Sequence, residues 1–361
     1  MVVRLSDYIV SPLGLGTRAT YEAVKQGKTR LRRYEGRWGV PQPFVASLFD
    51  EGEIETMCEG MATAGYSRFE RLCILAVRGA LQDADIDVRS PRTLFILSTT
   101  KGDLYRPLST TAMRIAQWFG NPVVPLVVCN ACISGLHALV EARRTLTSGE
   151  YDHVVVVGAD LQSDFTVNGF YSLKALSPEP CRPFDEDRMG LNLGDAAACM
   201  VLGCDVSRAQ WQLVRGAVRN DAYHLSSPSK NAEGYYQALS AVMGGLSSAD
   251  IAFVNLHGTA TLYNDEMESV GLTRAGLATV PAGSLKGYLG HTMGAAGLIE
   301  TLLCMQSLDD GIVLGTRGYE HAGTSCLLNL SPLHRPVVGR RFVKTISGFG
   351  GGNAAMMFEK M

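Results

Sequence analysis

The chain of 361 residues lacks several things, and each absence narrows what it can be. No apolar run approaches the roughly 20 residues that cross a membrane; the longest, such as VVVV at 154–157, are strand-length. No block of five or six like charges occurs and the formal net charge is −2, so nothing in the charge pattern points to nucleic acid. The densest basic stretch, RLRRYEGR at 30–37, reads most simply as a solvated surface. The opening MVVRLSDYIVSPLG reaches a Pro-Leu-Gly turn before any apolar region develops, so no secretory leader is expected. Nine cysteines (58, 73, 129, 132, 181, 199, 204, 304 and 326) are odd in number and sit mostly in apolar stretches. That usage argues against a disulfide framework and for reduced, buried thiols in a cytoplasmic protein. Glycine is plentiful at 39 but has no period, which excludes low complexity; it gathers at the ends of apolar runs, as in GFGGGNAA and HTMGAAG.

What is present is an apolar fraction of 46%, enough for one large core or two closely packed halves. Strand-like runs at 92–100, 123–129, 153–160, 197–203, 251–258, 325–330 and 354–359 are short, apolar on both faces and closed by glycine or polar residues. Helical windows at 68–84, 134–148, 232–246, 263–277 and 294–308 lie between them. This alternation predicts an α/β fold with sheets covered by helices. Two stretches, NACISGLHALVEARRTLTSGEYDHVVVVG and LGHTMGAAGLIETLLCMQSLDDGIVLG, share a plan: a reactive or polar residue at a turn, small residues opening a helix, an acidic residue inside it, then a strand. They suggest two similar halves, 1–205 and 206–361.

The first of these stretches holds Cys129 and Cys132. Zinc would need four ligands, and no second CxxC or ligand-spaced pair of histidines accompanies them. A redox pair would need the setting of a small thioredoxin-like domain. Two packed structural thiols remain an open reading. Position separates the residues: Cys129 ends the apolar run and is expected to be packed, whereas Cys132 falls on the turn into the helix. There the free N–H groups and the helix dipole favour a thiolate, so a depressed thiol pKa is expected and Cys132 is the candidate nucleophile. Its own backbone N–H could serve an oxyanion.

Candidate partners lie in the second half. His257 closes a strand in VNLHGTATLYND, and His291 follows Lys286 by five residues in KGYLGHTMGAAG. Each is set among small residues that leave room for a ligand. Glu300 reads either as a solvated helix residue or as a buried carboxylate holding Lys286 or His291. The SGFGGGN loop at 347–353 is either a flexible turn or a second oxyanion donor and gate. His137, His153, His224, His321 and His334 lack a comparable setting.

Taken in order, SPLG (11–14), NACISGLHAL, KALSPEPCRPFDEDRMGLNLGDAAA (174–198), HGTATLYNDEMES (257–269), KGYLGHTMGAAGLIE (286–300) and GFGG (348–351) resemble the β-ketoacyl-acyl carrier protein synthases, condensing enzymes of the thiolase superfamily. The resemblance implies a thiolase-like fold of two similar halves packed as α-β-α-β-α layers. It implies that Cys132 accepts an acyl chain from a phosphopantetheine thioester, the oxyanion being held by the N–H groups of Cys132 and Phe349. Malonyl-acyl carrier protein would then be decarboxylated, with the enolate stabilised by His257 and His291, and the carbanion would attack the acyl-cysteine to give a 3-oxoacyl product two carbons longer. Two histidines mark the elongating members. By the same resemblance Lys286 belongs to the catalytic network, Glu300 and Asp265 support it, Phe349 and Gly350 form the gate, and Thr259 and Thr261 line the pantetheine channel. No metal and no bound cofactor are implied, since the phosphopantetheine belongs to the partner.

That partner is an acyl carrier protein, expected to dock on Arg68 and Arg71, with the Arg30–Arg33 cluster behind them. A homodimer, or a heterodimer with a second ketosynthase-like subunit, is implied as well. Relatives are commonly longer, with cap segments between LSTTKGDLYRPL and FGNPVVPLVVCNAC that this chain lacks. Ser347-Gly348-Phe349 replaces a Phe-Gly-Phe, and Leu193-Gly194-Asp195 stands at a common Gly-Glu-Gly. A non-catalytic chain-length-factor-like subunit and a simple acyltransferase remain alternatives. The first typically lacks the nucleophile that Cys132 supplies, and the second has no use for both histidines.

Overall fold

A computed structural model describes residues 1–207, 209–224 and 227–361. Its main sheet is built from β1 (Val3–Ser11), β2 (Thr93–Ser98), β3 (Leu126–Val128), β4 (His153–Asp160), β5 (Ala196–Gly203), β6 (Trp211–Asn220), β7 (Phe253–Asn255), β8 (Ala282–Gly283), β9 (Arg341–Gly348) and β10 (Gly352–Lys360), with a two-residue strand, Gly14–Leu15, on β1. The spatial order is β8-β7-β9-β10-β6-β1-β5-β4-β2-β3. The first five strands run third-second-fourth-fifth-first from their outer edge, and so do the last five. Pairing directions match too: the inner pairs are antiparallel and the outer two parallel. Only Val3 and Gln212 pair across the junction, so two half-sheets meet at a corner and fold over one another.

The helices fill three layers around them. α1 (Arg68–Leu81) and α2 (Leu108–Trp118) cover the outer face of the first half-sheet, with Leu72, Val77 and Ile115 packed on Phe95, Val155 and Val157. α4 (Glu233–Met243) and α5 (Leu262–Arg274) cover the second, with Leu239 and Leu272 on Val343 and Met357. Between the sheets lie α3 (Ser134–Ser148) and α6 (Ala296–Asp309), whose Leu136, Leu139, Leu298 and Leu302 meet Val154, Val156, Met356 and Phe358. Successive valines of β4 thus enter different cores, which is why that run is apolar throughout. The result is the α-β-α-β-α arrangement. No helix among the described residues is long and apolar enough to cross a membrane.

The central helices touch at glycine. A Cβ on Gly297 would lie 2.3 Å from the backbone nitrogen of Leu136, and one on Gly135 would lie 2.8 Å from the carbonyl oxygen of Gly294. They are the helices of the two echoing stretches. The echo ends there: the strand after α6, Ile312–Val313, only pairs with Arg335–Pro336 in a small ribbon, and the counterpart of β4 is β9.

Three expectations need correction. Residues 325–330 are not a strand; they follow the chain at 278–282 through isolated bonds, such as Ala282 N–H to Asn329 O at 3.0 Å. The apolar run at 123–129 forms only β3, an edge strand; Leu126 on it and Val124 just ahead of it are exposed. Cys129 is exposed rather than packed, because it leaves the sheet at that edge. Strands β1, β6 and β9 went unread because their charged residues, such as Asp7, Arg215 and Lys344, interrupt the apolar pattern. The basic stretch 30–37 is largely matched by acids, Arg30 and Arg32 with Asp50 and Arg33 with Glu35 and Glu179.

Gly297→Ala should therefore destabilise the protein by about 1–3 kcal/mol or more through backbone overpacking. Gly169→Ala, in the helix Asp164–Ser172 where a Cβ meets nothing within 4 Å, should be neutral or stabilising. Equilibrium denaturation of the two variants checks the contrast, and equal midpoints would contradict the crossing.

Candidate active site

Cys132 sits where β3 must turn into α3. The turn is made by Ala131 at φ 44°, a conformation that costs a non-glycine residue of order 1–3 kcal/mol. Ser134 holds it: its Oγ donates to Ala131 O at 2.6 Å and accepts from the Asn130 N–H at 2.8 Å. The turn aims the thiol inward, where the backbone N–H groups of Phe349 and of Cys132 itself meet the sulfur. Gly348 allows that approach, since a Cβ there would lie 3.1 Å from Cys132 N.

Both histidines are delivered by loops clamped at the backbone. The N–H groups of His257 and Gly258 donate to Glu268 on α5 at 2.8 and 2.7 Å. His291 donates its N–H to Asn192 O at 2.7 Å, and its carbonyl accepts from Gly194 N–H at 3.0 Å. The Nδ1 of His291 accepts from the Met293 N–H at 3.2 Å, which assigns the ring proton to Nε2. That Nε2 has no hydrogen-bond partner among the described residues. The two rings meet edge to face with centroids 5.0 Å apart, and the Cys132 sulfur and ring nitrogens of both lie within 4.8 Å of one another. Burial and the charge of Lys286 push both imidazoles well below their usual range, so both are neutral.

Behind the rings, Glu300 is held between Lys286 and Lys344, the latter at 2.5 Å. All three are buried, and the two ammonium groups hold Glu300 below the usual carboxylate range against the opposing effect of burial. Asp265, at the start of α5, accepts from the N–H groups of Phe184 (2.7 Å) and Thr259 (3.0 Å), tying the 174–198 stretch to the HGTAT loop. Burial pushes its carboxyl up to about 6. A cavity of about 400 Å³ leads down to Cys132, His257 and His291, with Thr259 and Thr261 on its wall and their hydroxyl oxygens 2.8 Å apart. Phe349 lines it too and stacks on Phe170, centroids 5.7 Å apart.

The fold thus brings together Cys132, His257, His291, Lys286, Glu300, Asp265, Phe349, Thr259 and Thr261. Gly350 stands apart: its carbonyl accepts from Asn220 at 3.2 Å, and its φ of 85° makes it the bend of the loop rather than a wall of the cavity. Arg68 and Arg71 lie outside the cavity, 3.4 and 4.0 Å from Glu55. Lys344 and Glu268 were missed in the sequence, the first as a lone charge in a strand and the second as one of several acids on a helix. As metal donors, Cys132, His257 and His291 are of kinds that zinc takes. They fit a cation poorly, because two ammonium groups stand behind them against the one carboxylate of Glu300.

The expected depression of the Cys132 thiol is overturned. Burial pushes it up to about 11; the charge of Lys286 and the N–H groups of Phe349 and Cys132 pull the other way and do not win. At rest the site therefore holds a neutral thiol beside two neutral imidazoles, and the sulfur must lose its proton when it attacks. Alkylation of the Cys132 peptide by iodoacetamide, followed by mass spectrometry, should rise from about pH 7 to about pH 10 without a plateau, and Lys286→Met should slow it at every pH. A plateau below about pH 8 would mean that the N–H groups outweigh burial.

Two family models match in tandem, the Beta-ketoacyl synthase, N-terminal domain over residues 105–205 and the Beta-ketoacyl synthase, C-terminal domain over 212–320. The chain is 34% identical over 257 residues to 3-oxoacyl-[acyl-carrier-protein] synthase 2 of Vibrio cholerae serotype O1, an alignment covering 65% of this chain and 62% of that protein. It is 26% identical to the tetracenomycin polyketide synthase ketoacyl synthase alpha subunit of Streptomyces glaucescens, across 97% of this chain and 95% of the other. The same fold is found in the ishigamide ketosynthase/chain length factor (TM-score 0.89, 22% identity, 100% of this chain and 99% of that one). It recurs in a beta-ketoacyl synthase from Burkholderia phymatum STM815 (TM-score 0.88, 22% identity, the same coverage). With the thiolase-like layers and the converging cysteine and histidines already described, these matches place the chain in the β-ketoacyl synthase family.

Proposed function

We propose that this chain is an elongating, decarboxylative ketosynthase. The observation that carries the reading is the convergence of Cys132 with His257 and His291 at the foot of one cavity, each ring neutral and the His291 Nε2–H unspent. The sulfur of Cys132 attacks the carbonyl carbon of an acyl thioester. The resulting oxyanion accepts from the N–H groups of Cys132 and Phe349, and collapse breaks the C–S bond to phosphopantetheine, whose sulfur receives the proton lost by Cys132. A malonyl thioester then occupies the emptied channel along Thr259 and Thr261. Breaking its C–C bond releases carbon dioxide and leaves the electron pair on an enolate, whose oxygen accepts from the two imidazole N–H groups. A charged imidazolium is not required, and the low histidine pKa values suit N–H donation. The carbanion attacks the acyl-cysteine carbonyl, and Cys132 departs as thiolate and is reprotonated. Lys286 and Glu300 hold the field behind the rings. Phe349 gates the acyl chain by leaving its stack on Phe170. No cofactor need be bound by the chain for any of these steps.

The partner in this reading is an acyl carrier protein, docking at Arg68 and Arg71, where Glu55 offsets part of their charge. The exposed edge of β3, with Leu126 on it and Val124 just ahead of it uncovered, suits pairing with a second copy or a ketosynthase-like subunit. A cytoplasmic setting accords with nine unpaired cysteines. The intact Cys-His-His set weighs against a chain-length-factor-like role.

Intact-protein mass after incubation with a panel of acyl-acyl carrier proteins should show one acyl adduct on the wild type and none on Cys132→Ala. His291→Ala should keep most of the acyl capture while losing roughly 10²-fold or more in condensation with malonyl-acyl carrier protein. Equal losses in both steps would reject this division of labour, and no adduct from any donor would favour the non-catalytic subunit. Charge reversal at Arg68 and Arg71 should weaken carrier-protein binding at low salt and matter little at high salt.

A further inference from the structure

Glu300 is bracketed by two lysines where one would neutralise it. Lys286 takes one oxygen; the Lys344 ammonium, reaching in from β9, lies 2.5 Å from the other and 3.3 Å from the carbonyl oxygen of Leu256. Lys344 is wholly buried, and placing a second ammonium in this interior carries a desolvation cost that Glu300 alone does not offset. Its charge also reaches Glu268, His257, His291 and the Cys304 thiol on α6. Glu268 is the carboxylate that accepts the N–H groups of His257 and Gly258. The turn at 256–258 is therefore gripped from both sides, its carbonyl by Lys344 and its N–H groups by Glu268, and His257 is the residue between.

We propose that Lys344 is a positioning residue for His257, tying the end of β7 through the Leu256 carbonyl to Glu300 and so to Lys286. Its catalytic consequence rests on the condensation reading above; its structural consequence does not. Removing Lys344 leaves the Lys286–Glu300 pair in place but frees the second oxygen of Glu300 and the Leu256 carbonyl, and through the latter the effect falls on the step that needs His257 aimed at the enolate oxygen.

Lys344→Met is compared with Thr345→Val, which removes the bonds of Thr345 Oγ1 to Asn255 O (3.4 Å) and to the Tyr235 hydroxyl (3.1 Å) from the same buried strand without touching Glu300. Malonyl decarboxylation by Lys344→Met should fall about tenfold or more, because small misplacements of catalytic groups are costly, and acyl capture should fall much less. Thr345→Val should leave the ratio of the two rates as in the wild type. In parallel, nitrogen-15 spectra of histidine-labelled protein should show the His257 ring signals shifted or broadened in Lys344→Met and the His291 signals little changed. Should Lys344→Met fail to fold, Lys344→Gln, which can still donate to the Leu256 carbonyl, takes its place with a smaller shift expected. Unchanged His257 signals, or the same change of ratio in Thr345→Val, would overturn the proposal. A wild type that decarboxylates nothing would sink the condensation reading instead, and the spectra would still decide the role of Lys344.

Discussion

Everything at the site depends on the contact of two helix ends without side chains between them. Gly135 and Gly297 bring α3 and α6 to backbone distance, and the same crossing seats Gly294 against the first half of the chain. There the Gly294 N–H donates to Asp160 at 2.7 Å and its carbonyl accepts from Ser98 Oγ at 3.0 Å. Cys132 lies just ahead of α3 and His291 just ahead of α6. The crossing that joins the halves therefore also sets the distance between the Cys132 thiol and the His291 imidazole, and a single methyl group at either glycine acts on both.

The second constraint is how charge and neutrality are divided. The groups that would meet substrate, Cys132, His257 and His291, are all buried and all uncharged at rest, because desolvation opposes thiolate and imidazolium alike. The charged groups, Lys286, Glu300 and Lys344, stand one layer back and engage the backbone or one another, while Glu268, whose carboxyl burial pushes up to about 7, accepts the backbone N–H groups beside His257. This separates two tasks. Neutral donors face the cavity, where an anion can form and be met by N–H groups, and the ions behind them fix geometry.

Much of the fold was legible because its physics is local. β4 is apolar throughout because both its faces are buried, and α3 shows helical spacing because its buried side packs between the two half-sheets while Arg144 stays exposed. The strands read least well are those at the junction of the halves and beside the site. β6 and β9 carry Arg215 and Lys344, whose partners are remote in sequence, and β1 carries Asp7, which pairs with Arg4 on the same strand, so in none of them does an unbroken apolar pattern mark the strand. The opposite error came at β3 and at 325–330, where apolar composition suggested burial and the chain instead lies at an edge or beside a loop.

The residue types and their order determined by themselves that the chain is layered α/β, that Cys132 opens a helix, and that His257 and His291 close glycine-flanked turns, because turn chemistry and periodicity act over a few residues. The direction of the thiol shift, the neutrality of both imidazoles and the second lysine on Glu300 were decided only when the halves packed. Each is an effect of desolvation or of a charge brought within a few ångströms from far along the chain, and neither quantity exists until the tertiary structure encloses the site.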